Sequence, residues 1–455
     1  MEKERSCPPE TEFTPGTGGL SILFAALILM NALVGAGILN FPQSLHQAGG
    51  FVWAFSIQLV IVILLYFSVA SVVWCSHVKQ TFFYQDTIHA YYGSVGVNIC
   101  AVIMLLFCSL ITCVYAIAIK QQLEAGVSVI MQLTGLNWEV SGDLLLLLAV
   151  LLIIFPFCLV RHIDKLQYVS GVASMTILLV LSIVIYEFFE TDKSNVKLKT
   201  SPERWTDVFL AVPAYTVAYM YDLTSVAVYG RLKRRTLFNY MKAAAFALTC
   251  VFLFYNTFSM FAYATFGQNI HSNFMTNYKS KSWAVAIAQL LYSFKLCLEY
   301  PIYQFLGWTA LHSVARHNFS LSASASASQK EDSRLITKEA SEVCENGQQE
   351  EGTFHFLKWR ASTSVLWILG TLVVSWLTDD ISEVLPLSSA AVLQFQFTFP
   401  GLCLLKEVCQ TGEGTVIVGK WKLKLLFLFG IFILCFGIGM SIILVVQYLF
   451  MRVPK

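Results

Sequence analysis

The sequence is poor in charged residues. Only 13% of its 455 residues are Asp, Glu, Lys or Arg, whereas 56% are hydrophobic, and the net charge is +2. A soluble domain carries about 25% charged residues, and one with half that share would expose large apolar patches to water. We therefore expect the chain in a lipid bilayer, and its nearly neutral charge argues against nucleic-acid binding.

Three further absences narrow the class of protein. The twelve cysteines show no repeated C-x-x-C spacing of a metal site, and most lie in apolar runs, where Cys behaves as a small hydrophobe. No nucleophile–base pair or phosphate-binding loop stands out, so we expect neither an enzyme nor a bound cofactor. Residues 1–18 are polar and contain no signal peptide, so the first apolar segment is expected to stay in the membrane.

Apolar segments long enough to cross a bilayer recur along the chain. A hydrocarbon core about 30 Å thick needs about 20 helical residues, and only helices satisfy every backbone group over that length in lipid. We predict an all-α integral membrane protein with eleven transmembrane helices. They lie near residues 19–42, 51–76, 95–119, 142–160, 166–189, 207–229, 241–266, 283–312, 361–378, 383–405 and 424–450.

The distribution of Lys and Arg predicts the orientation of this bundle. The loops on the side of the N-terminus hold most of these residues, most clearly in Arg161–Lys165 and Arg231–Arg235. Positive charge favours the cytosolic side. The tail 1–18 is therefore predicted to be cytosolic and, after eleven spans, the C-terminus to be extracellular or luminal.

The one long loop, 316–358, is predicted to be cytosolic and disordered because it begins with a Ser/Ala run and then turns acidic. It contains Glu331-Asp-Ser-Arg-Leu335-Ile336, which fits the acidic dileucine pattern for a cytosolic sorting adaptor. Such a short pattern also arises by chance. The plasma membrane and a lysosomal or endosomal membrane therefore both stay open.

Two predicted spans contain residues that weaken a helix near its middle. The first holds Asn31 and then Gly35-Ala36-Gly37, and the sixth holds Pro213, Thr216, Ala218 and Tyr219. Small residues also serve close helix packing in membranes. If ten spans form two repeats of five, however, the first and sixth spans correspond in inverted repeats, and broken helices at such places mark a substrate site.

The eighth predicted span carries Lys295 and Glu299, four residues apart and therefore on one helix face. Charges at this depth survive by pairing or by facing a cavity. A neutralised structural pair and a site for an ion or proton are both consistent with this pattern. Asp222, in the sixth span, raises the same question.

The first predicted span also carries a resemblance to a known family. Asn31-Ala-Leu-Val-Gly-Ala-Gly-Ile-Leu-Asn-Phe-Pro42, followed by Gln47-Ala-Gly-Gly50, resembles the first-helix signature of the sodium-coupled neutral amino acid transporters, in the amino acid/auxin permease superfamily. The resemblance covers roughly 19–450 without the long loop. Weaker similarities lie in Tyr115–Leu123, in Ala218-Tyr219 with Tyr229 and Leu232, and in Ser388–Ala390 through Phe399-Pro400-Gly401.

The resemblance implies a five-plus-five inverted repeat (LeuT-like) with one added helix. The first repeat would be 19–189, the second 207–405, interrupted by 316–358, and the added helix 424–450. It also implies secondary active transport of small neutral or amide amino acids, such as glutamine or alanine, by alternating access. Sodium would be the coupling ion.

The resemblance also assigns site residues. Asn31 would contribute to sodium and substrate binding. Gly35, Ala36 and Gly37 would offer backbone contacts to the α-carboxylate of the substrate. From the sixth helix, Ala218 and Tyr219 would line the site.

The eighth span departs from the family pattern. The family's hydroxyl pair, T-x-T-x-P, reads Cys297-Leu298-Glu299-Tyr300-Pro301 here. A thiol is a poor ligand for a hard cation, and an ammonium such as that of Lys295 can take the place of a sodium ion in a pocket of this kind. The ion-coupling candidates are Asn31, Lys295, Cys297 and Glu299. Two alternatives stay open: a proton-coupled or uncoupled lysosomal or endosomal carrier, and an amino acid sensor without transport.

Overall fold

The computed structural model describes residues 19–135, 140–159, 176–191, 196–278, 282–327, 345–412 and 420–451. These residues are helical apart from turns, connecting segments and one isolated parallel bridge between Leu20 and Leu232. The helices are α1 (Ile22–Leu33), α2 (Phe41–Gln47), α3 (Phe51–Lys79), α4 (Tyr84–Thr134), α5 (Gly142–Ala149), α6 (Phe155–Cys158), α7 (Thr176–Glu190), α8 (Val212–Ala218), α9 (Asp222–Arg231), α10 (Leu237–Phe266), α11 (Trp283–Ala327), α12 (Glu345–Leu377), α13 (Ile381–Leu393), α14 (Phe399–Gly412) and α15 (Lys420–Met451).

Six of the described helices are long and apolar enough to cross a membrane, and the bent pair α1 and α2 makes a seventh if it is one span. These helices coincide with seven of the predicted spans. The matching spans are 19–42, 51–76, 95–119, 241–266, 361–378, 383–405 and 424–450.

The other four predicted spans do not meet this criterion as single helices in the described part of the chain. The span 142–160 corresponds to a shorter apolar helical stretch, Gly142–Cys158, which contains a π-helical turn at Val150–Ile154, and 207–229 is divided between α8 and α9. The eighth span lies within the longer helix α11, and 166–189 begins outside the described residues. The count of eleven and the five-plus-five repeat therefore stay predictions.

Helices occupy both ends of the segment that we predict to be a disordered loop. α11 continues to Ala327, and α12 already begins at Glu345. Alanine is the strongest helix former, so the Ser/Ala run lengthens α11 more readily than its low complexity suggests. The sorting pattern Glu331–Ile336 lies outside the described residues.

The helix ends follow local sequence rules. The Ser21 hydroxyl caps α1 by accepting a hydrogen bond from the Phe24 N–H group at 3.3 Å, and Thr236 caps α10 through Asn239 in the same way. α4 contains one break, at Gly93, whose φ of +60° suits a residue without a Cβ atom. The chain therefore turns within α4.

The core forms where the central helices pack together. α11 packs most extensively against α4, α1 against α10, and α8 against α13. Several of the largest fully buried side chains are tyrosines, including Tyr115, Tyr219 and Tyr255. A buried tyrosine keeps a hydroxyl that needs a partner, so this core brings hydrogen-bond donors into an apolar bundle.

Candidate functional site

The first broken helix bends by 59° between α1 and the segment Gly37–Gln47. α1 ends at Leu33, Val34 leaves the helical conformation with φ −90° and ψ 88°, and Gly35 is extended. The chain then resumes as a 3₁₀ turn, Ala36–Asn40, before α2. The first N–H groups of this turn lack helical partners, and the break therefore exposes both donors and acceptors of the backbone.

Three consecutive carbonyl groups at this break accept hydrogen bonds from side chains. The Tyr255 hydroxyl donates to the Leu33 oxygen at 2.7 Å. The Lys295 ammonium donates to the Val34 oxygen at 3.0 Å, and the Tyr292 hydroxyl donates to the Gly35 oxygen at 3.2 Å. Side chains of α10 and α11 thus satisfy the acceptors that the broken helix leaves free.

The charged pair of α11 lies directly against these carbonyl groups. Lys295 is fully buried and Glu299 is 6% exposed. Lys295 donates to one carboxylate oxygen of Glu299, and the Tyr115 hydroxyl of α4 donates to the other at 2.8 Å. A Cβ atom added to Gly35 would lie 3.1 Å from that hydroxyl. The pair is therefore part of the first break and not a remote structural contact.

The second broken helix is interrupted between α8, which ends at Ala218, and α9, which begins at Asp222. Tyr219 is the residue directly after α8, at its C-cap, and is fully buried. Its hydroxyl accepts a hydrogen bond from the Gln58 side chain of α3 at 2.5 Å, and its ring centroid lies 5.6 Å from that of Tyr255. Tyr219 therefore joins the second break to the tyrosine that holds the first.

Side chains from α13 and the π-helical turn after it fix α8. The Thr216 hydroxyl hydrogen-bonds with the Ser389 hydroxyl, and the Gln396 amide donates to the Thr216 carbonyl oxygen at 2.7 Å. The resemblance at Ser388–Ala390 thus falls on residues that support the second break.

The two breaks touch at Gly37 and Ala218. A Cβ atom added to Gly37 would lie 2.8 Å from the Ala218 Cβ atom and 3.0 Å from its Cα atom. Real atoms do not approach so closely, so only glycine fits at position 37 without a shift of the backbone. Both interpretations of the glycine pattern, close packing and a site between broken helices, are consistent with this contact.

The structure brings most of the predicted site residues together. Gly35, Gly37, Ala218, Tyr219, Lys295 and Glu299 surround the two breaks through the contacts described above. Ala36 begins the 3₁₀ turn, and Asn31 lies in the last turn of α1, where it is partly exposed.

Cys297 is placed differently. It is buried, with 2% of its surface exposed, but it lies two residues from both Lys295 and Glu299. Two residues correspond to about 200° around an α-helix, so Cys297 points away from the face that meets the break. We therefore omit it from the proposed ion site.

Sequence reasoning missed the two tyrosines that donate to the break. Tyr292 had a detectable signal, because residues 292, 295 and 299 share one face of α11. Tyr255 had none in its own segment, since only the packing of α10 against α1 brings it to Leu33.

A polar cavity of about 410 Å³ lies at the side of the bundle that is predicted to face outward. Its lining includes Gln121, Asn273, Asp379, Asp380 and Glu383. It adjoins the far end of the first broken helix, because the Asn40 amide donates to the Ser272 carbonyl oxygen at 3.2 Å. Among the described residues no cluster of His, Cys, Asp and Glu is arranged to hold a metal ion.

Broken helices that meet inside an apolar bundle are the architecture of a membrane transporter. The model of the family described as "transmembrane amino acid transporter protein" matches residues 18–447. The chain therefore belongs to this family, whose members are transporters and not enzymes, and it is a multi-pass membrane protein.

Individual relatives agree with this assignment. "Sodium-coupled neutral amino acid transporter 7" of Danio rerio is 25% identical, over 92% of this chain and 85% of the relative. "Solute carrier family 38 member 8" of Homo sapiens is 23% identical, over 88% of each chain. A solved nucleobase-cation-symport-1 family transporter, in a closed conformation with bromovinylhydantoin bound, shows a TM-score of 0.49 at 13% identity over 96% of each chain. The family match and the named relatives confirm the predicted resemblance to sodium-coupled neutral amino acid transporters.

Proposed function

We propose that the protein is a secondary active transporter of small neutral or amide amino acids, such as glutamine or alanine, that works by alternating access. The contact of the two breaks at Gly37 and Ala218 carries this proposal, together with the names of the relatives. The substrate α-carboxylate would bind the free N–H groups at Gly35, Ala36 and Gly37, because the amino end of a helix attracts anions. Asn31 and Tyr219 would complete the site.

The proposal includes the arrangement in the membrane. Two inverted repeats of five helices, 19–189 and 207–405, would rock around the site, and the helix at 424–450 would lie outside them. The N-terminus would be cytosolic and the C-terminus extracellular or luminal. The membrane would be the plasma membrane or that of lysosomes or endosomes.

The coupling ion has two candidates. The relatives are named sodium-coupled, so sodium symport is the first. The position of Lys295 favours the second, a proton-coupled or uncoupled carrier. Its ammonium donates to the Val34 carbonyl oxygen, and the two adjacent carbonyl groups already accept from tyrosine hydroxyls.

Charge and hydrogen bonding explain why this arrangement disfavours sodium. A sodium ion binds the lone pairs of oxygen atoms. At this break, each of the three carbonyl oxygens already accepts a hydrogen bond from an N–H or O–H group. Bringing a second cation next to a buried ammonium adds a like-charge repulsion in a medium of low dielectric constant. Lys295 would therefore act as a permanent cation at the break, balanced by Glu299.

The test is uptake of radiolabelled glutamine and alanine into proteoliposomes under an imposed sodium gradient or proton gradient. The variants are wild type, Lys295→Thr and Lys242→Thr. The last makes the same chemical change at an exposed lysine of α10, and it controls for loss of charge alone. We expect sodium-independent uptake by wild type and by Lys242→Thr, and sodium dependence in Lys295→Thr.

Other outcomes separate the candidates. Uptake by wild type that requires sodium would support sodium symport and make the Lys295–Glu299 pair structural. Binding of substrate without flux under any gradient would refute the carrier and support the sensor alternative.

A further inference from the structure

Asp222 is a second buried acid, and the proposed substrate and cation site does not use it. It is the first residue of α9, directly after the second break, and only 1% of it is exposed. Among the described residues, no other residue donates a hydrogen bond to either carboxyl oxygen. A buried polar group of this kind demands a physical explanation.

The ionisable side chains around Asp222 are tyrosines. Three tyrosines interact electrostatically with the Asp222 carboxyl group: Tyr84 of α4, Tyr221 of the second break and Tyr240 of α10. The Tyr84 hydroxyl already donates to the Phe395 carbonyl oxygen at 2.8 Å. Among the described residues, the Tyr221 hydroxyl has no hydrogen-bond partner, whereas Tyr240 interacts with the Ser225 side chain.

No Lys, Arg or His of the described residues pairs with Asp222. The packed faces of α1 and of the π-helical turn Gln394–Thr398 contribute no ionisable side chain. Tyr66 of α3 faces Tyr221 and Tyr240, and its hydroxyl donates to the Met241 carbonyl oxygen at 3.2 Å.

These surroundings suit a neutral carboxylic acid. An isolated carboxylate in an apolar interior is so costly that the group takes up a proton instead. The start of a helix stabilises a negative charge in its first turn, so the same side chain would ionise readily once water reached it. Hydration of Asp222 therefore decides whether the proton stays.

Asp222 lies where movement is expected. The break at 219–221 separates α9 from α8, and α9 is tied to the beginning of α1 by backbone hydrogen bonds. Leu20 donates to the Arg231 carbonyl oxygen at 3.3 Å, and Lys233 donates to the Leu20 carbonyl oxygen at 3.0 Å. α1 and α9 would therefore swing together as one unit on the side that holds the N-terminus, which would uncover Asp222.

We propose that Asp222 is a proton-binding site that exchanges its proton with water on the N-terminal side whenever α1 and α9 open. The proton binds one carboxyl oxygen in the conformation described and leaves to water after opening, and no other bond changes. This inference rests on the proposed carrier function, in its proton-coupled form.

Two measurements test the inference on the full-length protein. The first is infrared difference spectroscopy of purified wild type against Asp222→Asn near neutral pH, which detects the carbonyl stretch of a neutral carboxylic acid. The second is alanine accumulation in proteoliposomes with an acidic exterior. Glu190→Gln serves as the control, because Glu190 is an exposed acid at the end of α7.

We expect the carboxylic-acid band in wild type and in Glu190→Gln and its loss in Asp222→Asn. One proton per substrate would support about tenfold accumulation for each unit of pH difference, and we expect no accumulation in Asp222→Asn. That variant should still exchange labelled alanine for unlabelled alanine at equal pH, because asparagine has the shape of the neutral acid.

Several results would overturn the inference. An ionised Asp222 in the infrared spectrum would do so, as would undiminished pH-driven accumulation by Asp222→Asn. A neutral Asp222 in a wild-type protein that ignores the pH gradient would show a static proton and not an exchanged one. If wild type itself shows no alanine exchange, the carrier function would be refuted. The infrared result would still decide whether Asp222 is protonated. If Asp222→Asn misfolds, Asp222→Glu replaces it: the carboxylic-acid band should change position in this variant, and a band that stays unchanged would overturn the inference.

Discussion

Replacing Gly37 by alanine should disrupt the meeting point of the two broken helices. The added Cβ atom would lie 2.8 Å from the Ala218 Cβ atom, 3.0 Å from its Cα atom and 3.3 Å from its nitrogen. Two of these three atoms belong to the backbone, so a side-chain rotation cannot relieve the clash. Overpacking of this kind costs about 1–3 kcal/mol, and we expect that loss of stability together with a large loss of alanine uptake.

A second substitution on the partner residue makes the prediction specific. Ala218→Gly removes the nearest atom, so Gly37→Ala/Ala218→Gly should recover part of the stability and uptake that Gly37→Ala loses. Recovery should be partial because the Ala218 Cα and nitrogen atoms remain. Thermal denaturation in detergent, with uptake into proteoliposomes, measures both effects.

The matched control is Gly370→Ala in α12, where nothing lies within 4 Å of the added Cβ atom. Alanine is favoured over glycine inside a helix by about 1 kcal/mol, so this variant should be neutral or slightly stabilised. If Gly37→Ala behaved like Gly370→Ala, the close approach of the two breaks would be refuted.

Three further predictions concern charged groups. Glu299→Gln should destabilise the protein by about 3–5 kcal/mol, because it leaves the Lys295 ammonium buried without a counter-charge. In detergent denaturation, Lys295→Met/Glu299→Gln should be more stable than Glu299→Gln alone. Additive losses of stability would contradict the pairing. Tyr115→Phe should lower the stability of the protein by about 1.5–3 kcal/mol, because its hydrogen bond to the charged Glu299 is lost while the aromatic ring stays. A melting curve like that of wild type would disprove this hydrogen bond. The hydrogen bond from Lys199 lowers the pKa of Glu203. The stability that this pair contributes is therefore present above the unfolded pKa of Glu203 and is lost as the pH falls through its folded pKa. This small acid dependence of stability should vanish in Glu203→Gln, and an unchanged pH profile would argue against the pair.

The sequence was most informative where local rules act. Glycines in an apolar run predicted the first break, and the structure places it between Leu33 and Ala36. The spacing of Lys295 and Glu299 predicted a shared helix face, which the structure shows as an ion pair. Hydropathy predicted the long, uninterrupted spans. Glycine content, residue spacing and hydropathy are all properties of one continuous segment, and for this reason they can be read from the sequence.

Features that depend on tertiary packing could not be predicted in this way. Tyr255 lies more than two hundred residues from the Leu33 carbonyl group that it satisfies, and nothing in its neighbouring sequence announces that partner. The span 207–229 was predicted as one helix, but the structure divides it at the break after Ala218, because hydropathy averages across an interruption. Cys297 was assigned by its place in a motif, and helix geometry places it on a different face of α11 from Lys295 and Glu299.

The ammonium group at the first break is covalently attached to α11, and this attachment changes what an electrical measurement would report. An ion bound from solution arrives and departs, carries its charge across the field in every cycle, and has an occupancy set by its concentration. A lysine side chain is present at any salt concentration. Because its helix goes back to the starting position at the end of each transport cycle, the lysine moves no net charge across the membrane. A steady current through this protein would therefore count only the other charges that cross with the substrate.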